Sequence, residues 1–294
     1  MRFAALATPS MRFAAGVSAR RLTTSYIPGA AIGAVNRIDS PEMSMFRCLL
    51  VLMSVLASPA FGATTTEVFH QVTGFDVYRL DSGEEQRLEF FWKRKDGTPY
   101  GSIHTLRRTL ATEGRKLVFA VNGGIYSEQF TPLGLYIKNG KRYYQVTRGE
   151  GGGNFFLLPN GIFYITEEGA RVVETKDYQP QGRVINAIQS GPMLVINGRL
   201  HPRFIEGYHS KYIRNGVGVD QEGRVIFAIS DEPVNFHDFG TLFRDRLQCP
   251  SALYLDGNIS AMYAPELHRY GGWLWHRFTT MIGITSGAPD PVGP

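Results

Sequence analysis

The sequence predicts an α+β domain, a mixed, mostly antiparallel β-sheet core with a few flanking helices. Three observations carry this. Short apolar runs closed by Gly, Pro or Asn turns recur along residues 63–288 and give at least eight strand segments against two helical ones. Glycine stands at 33 of 294 residues without a G-X-Y period, so tight turns rather than a fibre account for it. No strand–helix–strand rhythm runs through the chain, which argues against a doubly wound parallel sheet. With 43% hydrophobic residues and no interdomain linker after residue 63, a single domain over 63–288 is expected.

The strands follow in order. Residues 68–72 and 76–80 alternate apolar and polar side chains before the turn Asp81-Ser82-Gly83, and residues 87–92 continue the pattern. Over 102–113, Ile103, Leu106 and Leu110 fall at helical spacing, with Ser102 as N-cap and Gly114 as stop; residues 117–121 then read as a buried strand. Asn139-Gly140 between 134–138 and 142–146 is a hairpin signal. Pro159-Asn160-Gly161 between 155–158 and 162–166 repeats it. Further strands are expected at 185–189, 193–196 (closed by Asn197-Gly198), 217–220, 225–229 and 252–255. Residues 236–247 read as a helix capped by Asn235, with Phe239, Leu242, Phe243 and Leu247 inward.

The first 62 residues read as a leader. From Met45 a short basic start, an apolar run over 48–56 too short to span a bilayer and a small-x-small site at Ala60-x-Gly62 make a secretory signal over 45–62. Residues 1–44 are then either disordered or upstream of a true start at Met43 or Met45. A periplasmic or secreted product with no membrane span follows, ending in a flexible tail over 289–294. The net charge of +5 belongs to the leader: residues 1–62 hold six Arg and two acids, and the remainder is near neutral. Nucleic acid is therefore not an expected partner. Cys48 leaves with the signal, so Cys249 stands alone, without a disulfide or a thiolate zinc cluster, and reads as a buried packing residue.

Four segments set polar groups at the ends of buried strands. Asn122-Gly123-Gly124-Ile125-Tyr126 combines an amide with a sharp, closely approachable turn. Ser190-Gly191 lacks the flanks of a nucleophile elbow. Arg214-Asn215 places a guanidinium, shaped to hold two phosphate oxygens, at a strand entrance. Asp256-Gly257 follows a fully apolar strand, as turn chemistry, a catalytic carboxylate or a metal ligand would require. The seven histidines show no recognised metal spacing. The sequence marks no cofactor; Ca²⁺ beside Asp256 is the one cation it leaves open, because that ion asks only for scattered oxygens.

In order along the chain, residues 119–126, Pro132-Leu-Gly134, Asn139-Gly140, Gly153-Asn154-Phe-Phe, Gln189-Ser-Gly191-Pro192, Arg214-Asn215-Gly-Val-Gly218 and Asp256-Gly257-x-x-Ser260 resemble the phosphodiester glycosidase domain family. The resemblance runs from about residue 117 to 265. The family's Asp-Gly-Gly-x-Ser is here Asp256-Gly257-Asn258-Ile259-Ser260. The resemblance implies hydrolysis of a sugar-1-phosphodiester at its glycosidic bond. It assigns Asp256 as base or nucleophile, Arg214 to phosphate, and Asn122, Ser190 and Asn215 to positioning, with Gly123, Gly124, Tyr126, Gly191, Gly257 and Ser260 around the substrate. Glu128, Glu206 and Asp231 are the choices for a second carboxylate. The competing expectation is a non-catalytic binder of exported polysaccharide or cell-wall glycan, with Tyr263, Tyr270, Trp273 and Trp275 as stacking platforms.

Overall fold

The structure is a computed structural model that describes residues 62–71, 73–256, 259–272 and 276–286. The leader before Gly62, Gly257, Asn258, Trp273, Trp275 and the 289–294 tail lie outside the described residues. In chain order the strands are β1 Ala63–His70, β2 Thr73–Leu80, β3 Glu89–Phe91, β4 Lys116–Asn122, β5 Tyr136–Lys138, β6 Lys141–Tyr144, β7 Gly161–Thr166, β8 Gly169–Glu174, β9 Val184–Ser190, β10 Met193–Ile196, β11 Arg199–Leu200, β12 Asn215–Val219, β13 Val225–Ser230, β14 Ser251–Asp256, β15 Met262–Ala264, β16 Arg269–Tyr270 and β17 Met281–Ser286. The helices are α1 Ile103–Thr112 and α2 Phe236–Thr241.

The strands form three antiparallel sheets, ordered β1-β2-β13-β12-β14-β10-β11, β16-β15-β4-β17-β3 and β6-β5-β9-β7-β8. Strand alternation explains how they share a core. Val225, Phe227 and Ile229 of β13 point inward with Phe119 and Val121 of β4, Phe163 of β7 and Ile188 of β9, so all three sheets close on one apolar centre. Ile226 and Ala228 point the other way and are covered by Phe239, Leu242 and Phe243 of α2 and the turn after it. The second sheet is covered in the same manner by Ile103, Leu106 and Leu110 of α1. The architecture is a single α+β domain, as expected, with both helices packed on outer sheet faces.

Local chemistry fixes the element ends. Ser102 Oγ accepts from Thr105 N at 3.1 Å to cap α1, and Gly114, at φ 73°, ends the turn beyond it. Asn235 Oδ1 accepts from Asp238 N at 2.8 Å to cap α2. The 236–247 segment does not stay α-helical: after Thr241 it continues as a π-helical turn over Leu242–Arg246, which keeps Leu242 and Phe243 buried. Residues 155–158 depart further from expectation. They hold a 3-10 turn, Asn154–Phe156, which buries Phe155 where a strand was expected.

Glycine in β12 is a packing requirement. A Cβ on Gly218 would stand 2.6 Å from Cys249 Sγ and 2.9 Å from Phe243 Cδ1, and one on Gly216 would stand 2.9 Å from Leu253 O. The turn after α2 can sit on the sheet only because this strand has no side chains there. Gly218→Val is expected to destabilise the fold by about 1–3 kcal/mol through overpacking, read as a lowered urea midpoint at unchanged slope.

His201 is 1% exposed and stacks on Phe204 at 4.6 Å. Burial lowers its pKa from 6.5 to about 4. The unfolded chain binds that proton in the interval where the folded protein does not. Its contribution is therefore complete above pH 6.5 and is lost as pH falls toward about 4. The loss is on the order of 3 kcal/mol. Urea midpoints from pH 7 to 4 are expected to fall more steeply in the native protein than in His201→Phe.

Candidate functional site

The site begins at the end of β14. The strand is buried from Ala252 to Leu255, and Asp256, its last residue, is half-buried. Across the sheet Asp256 pairs with Asn215, the first residue of β12. The Asn215 amide joins the strands around it: Nδ2 donates to Asn122 O at 2.9 Å and to Asn122 Oδ1 at 3.1 Å, while Oδ1 accepts from Asp256 N at 3.2 Å. Ser260 Oγ lies 2.7 Å from Asp256 O and 3.2 Å from Asn215 Oδ1. Asn122 Oδ1 also accepts from Ala261 N at 2.8 Å. Ser190 Oγ donates to Leu255 O at 2.7 Å. Asn122, Ser190 and Asn215 are each at most 1% exposed. Their amides and hydroxyl hold the backbone on which Asp256 is mounted.

The glycines of the first segment serve the same assembly. A Cβ on Gly124 would lie 2.9 Å from Gln189 O, and one on Gly123 would run into Thr280 and Ile188. Gly191 packs against Asn160, whose Cβ would be 2.6 Å from an added methyl. These positions bring strand ends into contact with one another. Gly257 lies outside the described residues.

Tyr126 follows the glycines and stacks on Phe130 at 5.3 Å, and its hydroxyl donates to Arg277 O at 3.1 Å. Burial, and after it the Asp256 carboxylate, raise the Tyr126 pKa above the usual phenol range. The carboxylate and this phenol therefore share one neighbourhood.

Arg214 is 1% exposed and does not stand open at a strand entrance. Its Nε donates to Val234 O at 2.7 Å, Nη2 to Ser210 O at 3.1 Å and Nη1 to Tyr254 Oη at 3.3 Å. The guanidinium lies 3.7 Å from the centre of the Phe236 ring. Among the described ion pairs none includes Arg214, so aromatic faces and carbonyl oxygens stand where a carboxylate usually would. Burial lowers its pKa. Tyr254 is two residues before Asp256 on β14, with a register shift between them against β12. Its pKa is raised by burial and by the Asp256 carboxylate, against the opposing pull of Arg214. Tyr254 thus accepts from Arg214 and also feels the Asp256 carboxylate.

The remaining expectations separate. Glu128 and Glu206 are exposed, and Asp231 is paired with Arg269, which also binds Asp76. Tyr263 is buried against α1, with the Arg107 guanidinium 5.7 Å from its ring centre, so it belongs to the core rather than to a platform. Tyr270 is exposed, and Trp273 and Trp275 lie outside the described residues. Cys249 is buried, and burial raises its thiol pKa. Among the described residues no group of three or more His, Cys, Asp or Glu could hold a metal ion. Sequence reasoning gave Tyr254 and Phe236 no role in the site. A tyrosine inside an otherwise apolar buried strand, two residues before a carboxylate, was the available signal, because a buried hydroxyl needs a partner.

The family model for the phosphodiester glycosidase domain matches residues 115–284, which takes in Asn122, Ser190, Arg214, Asn215, Asp256 and Ser260. The chain belongs to the phosphodiester glycosidase family. It is 36% identical over 203 residues to the uncharacterized protein YigE of Escherichia coli K12, covering 68% of this chain and 78% of that one. Among solved structures it resembles the catalytic domain of zebrafish N-acetylglucosamine-1-phosphodiester alpha-N-acetylglucosaminidase, auto-inhibited by its pro-peptide. The TM-score is 0.51 at 17% identity, over 76% of this chain and 81% of that one. At that identity the likeness is one of fold. Within the phosphodiester glycosidase match, the residues that assemble here, 122–126, 190–191, 214–215, and 256 with 260, come from four separate stretches of chain. Among the described residues no helix is long and apolar enough to cross a membrane.

Proposed function

We propose that this protein is an exported hydrolase that cleaves the glycosidic bond of a sugar-1-phosphodiester, releasing the sugar and leaving a phosphomonoester. The observation that carries the reading is the mounting of a half-buried carboxylate, Asp256, at the end of β14 on the Asn122–Asn215–Ser260 hydrogen-bond network, near enough to Tyr126 and Tyr254 to raise the pKa of both. Departure of a phosphate ester from an anomeric carbon needs little protonation, so the chemistry asks chiefly for a carboxylate and a positive field. Asp256 meets the first demand in one of two ways. As nucleophile it bonds to the anomeric carbon while the C–O bond to phosphate breaks and the electron pair leaves on phosphate; water then displaces the carboxylate at the same carbon, releasing the sugar. As base it takes a proton from the water that attacks.

Arg214 meets the second demand through its fixed charge rather than by contact, because it is buried and all three of its nitrogens donate to protein. Tyr126, with its pKa raised, remains a neutral phenol beside the reacting centre at neutral pH. The Asn122–Asn215–Ser260 network holds the Asp256 backbone in place, as a preorganised carboxylate requires. The signal over residues 45–62 supports export to the periplasm or beyond.

The test is product analysis. Purified protein incubated with a UDP-linked or chromogenic sugar phosphodiester is expected to release free sugar and a phosphomonoester. A sugar phosphate among the products would mean cleavage on the other side of phosphorus. Saturable glycan binding with no turnover would make the protein a binder. No step is assigned to a metal, and turnover is expected to survive chelation. Loss on chelation that Ca²⁺ alone restores would put that ion at Asp256.

A further inference from the structure

Beside Arg214 lies a cavity of about 580 Å³ that shares its walls. Ser210 and Phe236, which hold the guanidinium, line it, as does Asn154. Any group in this cavity is therefore a neighbour of the charge proposed to favour departing phosphate.

The wall chemistry says what that substituent is. Two phenylalanines line the cavity, but their ring faces are taken. Phe204 is stacked between His201, at 4.6 Å, and Phe236, at 5.1 Å and 6° from parallel. The other face of Phe236 is covered by the Arg214 guanidinium at 3.7 Å. Both rings thus offer edges, and Leu157, Pro202 and Ile205 add aliphatic surface beside them. The cavity's third ring, Tyr208, is tilted 42° against His209 with centroids 4.5 Å apart, so each of the three rings already has a ring or guanidinium against it. A flat base or a sugar face stacks best on an open ring face, whereas a hydrocarbon chain packs well against edges and methyls. At the same cavity Ile205 is 63% and Tyr208 47% exposed, an apolar surface left to water on one loop. Arg203 lines the cavity too, a cation suited to a phosphate there.

We infer that this cavity selects the alcohol side of the substrate and that the alcohol is aliphatic: the substrate is a sugar-1-phosphate esterified to a hydrocarbon chain. This rests on the phosphodiester glycosidase reading above.

The experiment compares methyl, phenyl and octyl phosphodiesters of N-acetylglucosamine 1-phosphate, all below micellar concentration, with the native protein, Ile205→Asn and Tyr208→Ser. Both substitutions are at exposed positions, so the fold survives them. The native protein is expected to favour the octyl over the methyl ester by about tenfold or more in kcat/KM. In both variants that ratio collapses toward one. Equal kcat/KM for methyl and octyl esters, or a phenyl ester better than octyl, overturns the aliphatic assignment and leaves the glycosidase reading standing. If no ester is cleaved, the glycosidase reading fails, and calorimetric titration decides the cavity alone. Octyl phosphate binding at least tenfold tighter than inorganic phosphate, and weakened by Ile205→Asn, then upholds an aliphatic site, while equal affinities overturn it.

Discussion

Asp256→Asn is expected to reduce turnover of a sugar-1-phosphodiester by about 10³-fold or more while the fold stays intact. The amide has the size and shape of the carboxylate, and two contacts that hold residue 256 run through its backbone: N to Asn215 Oδ1 at 3.2 Å and O to Ser260 Oγ at 2.7 Å. What changes is the negative charge. An asparagine neither bonds to an anomeric carbon nor takes a proton from water, so both roles open to Asp256 fail together. The unfolding midpoint in urea, measured on the same preparation, is expected to stay within about 0.5 kcal/mol of the native value. A turnover loss smaller than tenfold with the fold retained would remove Asp256 from the chemistry. The anomeric configuration of the sugar released by the native protein separates the two roles, since a nucleophile gives retention and a base gives inversion.

The fold was legible where local chemistry and tertiary packing agree. Asn139-Gly140 and Asn197-Gly198 close their hairpins with both residues at positive φ, as two-residue turns demand, and Ser102 and Asn235 cap the helices expected of them. It was not legible where packing alone decides. β17 is the central partner of β4 in the second sheet, yet it carries Gly283 in its middle and threonines on either side of its apolar run. Gly283 is there because a Cβ would stand 2.6 Å from Phe119 O, a constraint that only the neighbouring strand reveals. The site divides in the same way. Asp256 was recognisable from its place after an apolar strand. Asn122, Ser190 and Asn215 were recognisable as a polar group of residues, but their burial and mutual bonds, which make them a frame for the carboxylate, depend on three sheets closing together. Arg214 shows the limit most plainly. A guanidinium at a strand entrance predicts an open anion site, and only the fold shows α2 and Tyr254 covering it.

That covering makes Arg214 the position where stability and catalysis are expected to fail together. Arg214→Met keeps the length and most of the volume but leaves Ser210 O and Tyr254 Oη without this donor, and Val234 O with Tyr212 N alone. Each buried polar group so abandoned costs about 1–3 kcal/mol, offset in part because a charge no longer has to be buried, for a net loss of roughly 3 kcal/mol. Turnover should fall by about 10²–10³-fold as the field on the departing phosphate disappears. Arg214→Lys tests whether charge is sufficient. An ammonium is a point donor on a flexible stem, unable to reach three acceptors spread around a plane or to lie flat on Phe236, so it should recover little stability. If the positive charge itself drives departure of phosphate, lysine restores kcat toward the native value while the urea midpoint stays low. If both variants lose kcat equally, the guanidinium acts by fixing Tyr254 and the start of α2, and Tyr254→Phe, which deletes only the hydroxyl it binds, should then reproduce the kinetic loss without the full stability loss. Native kcat in Arg214→Met would separate the buried cation from the reaction altogether.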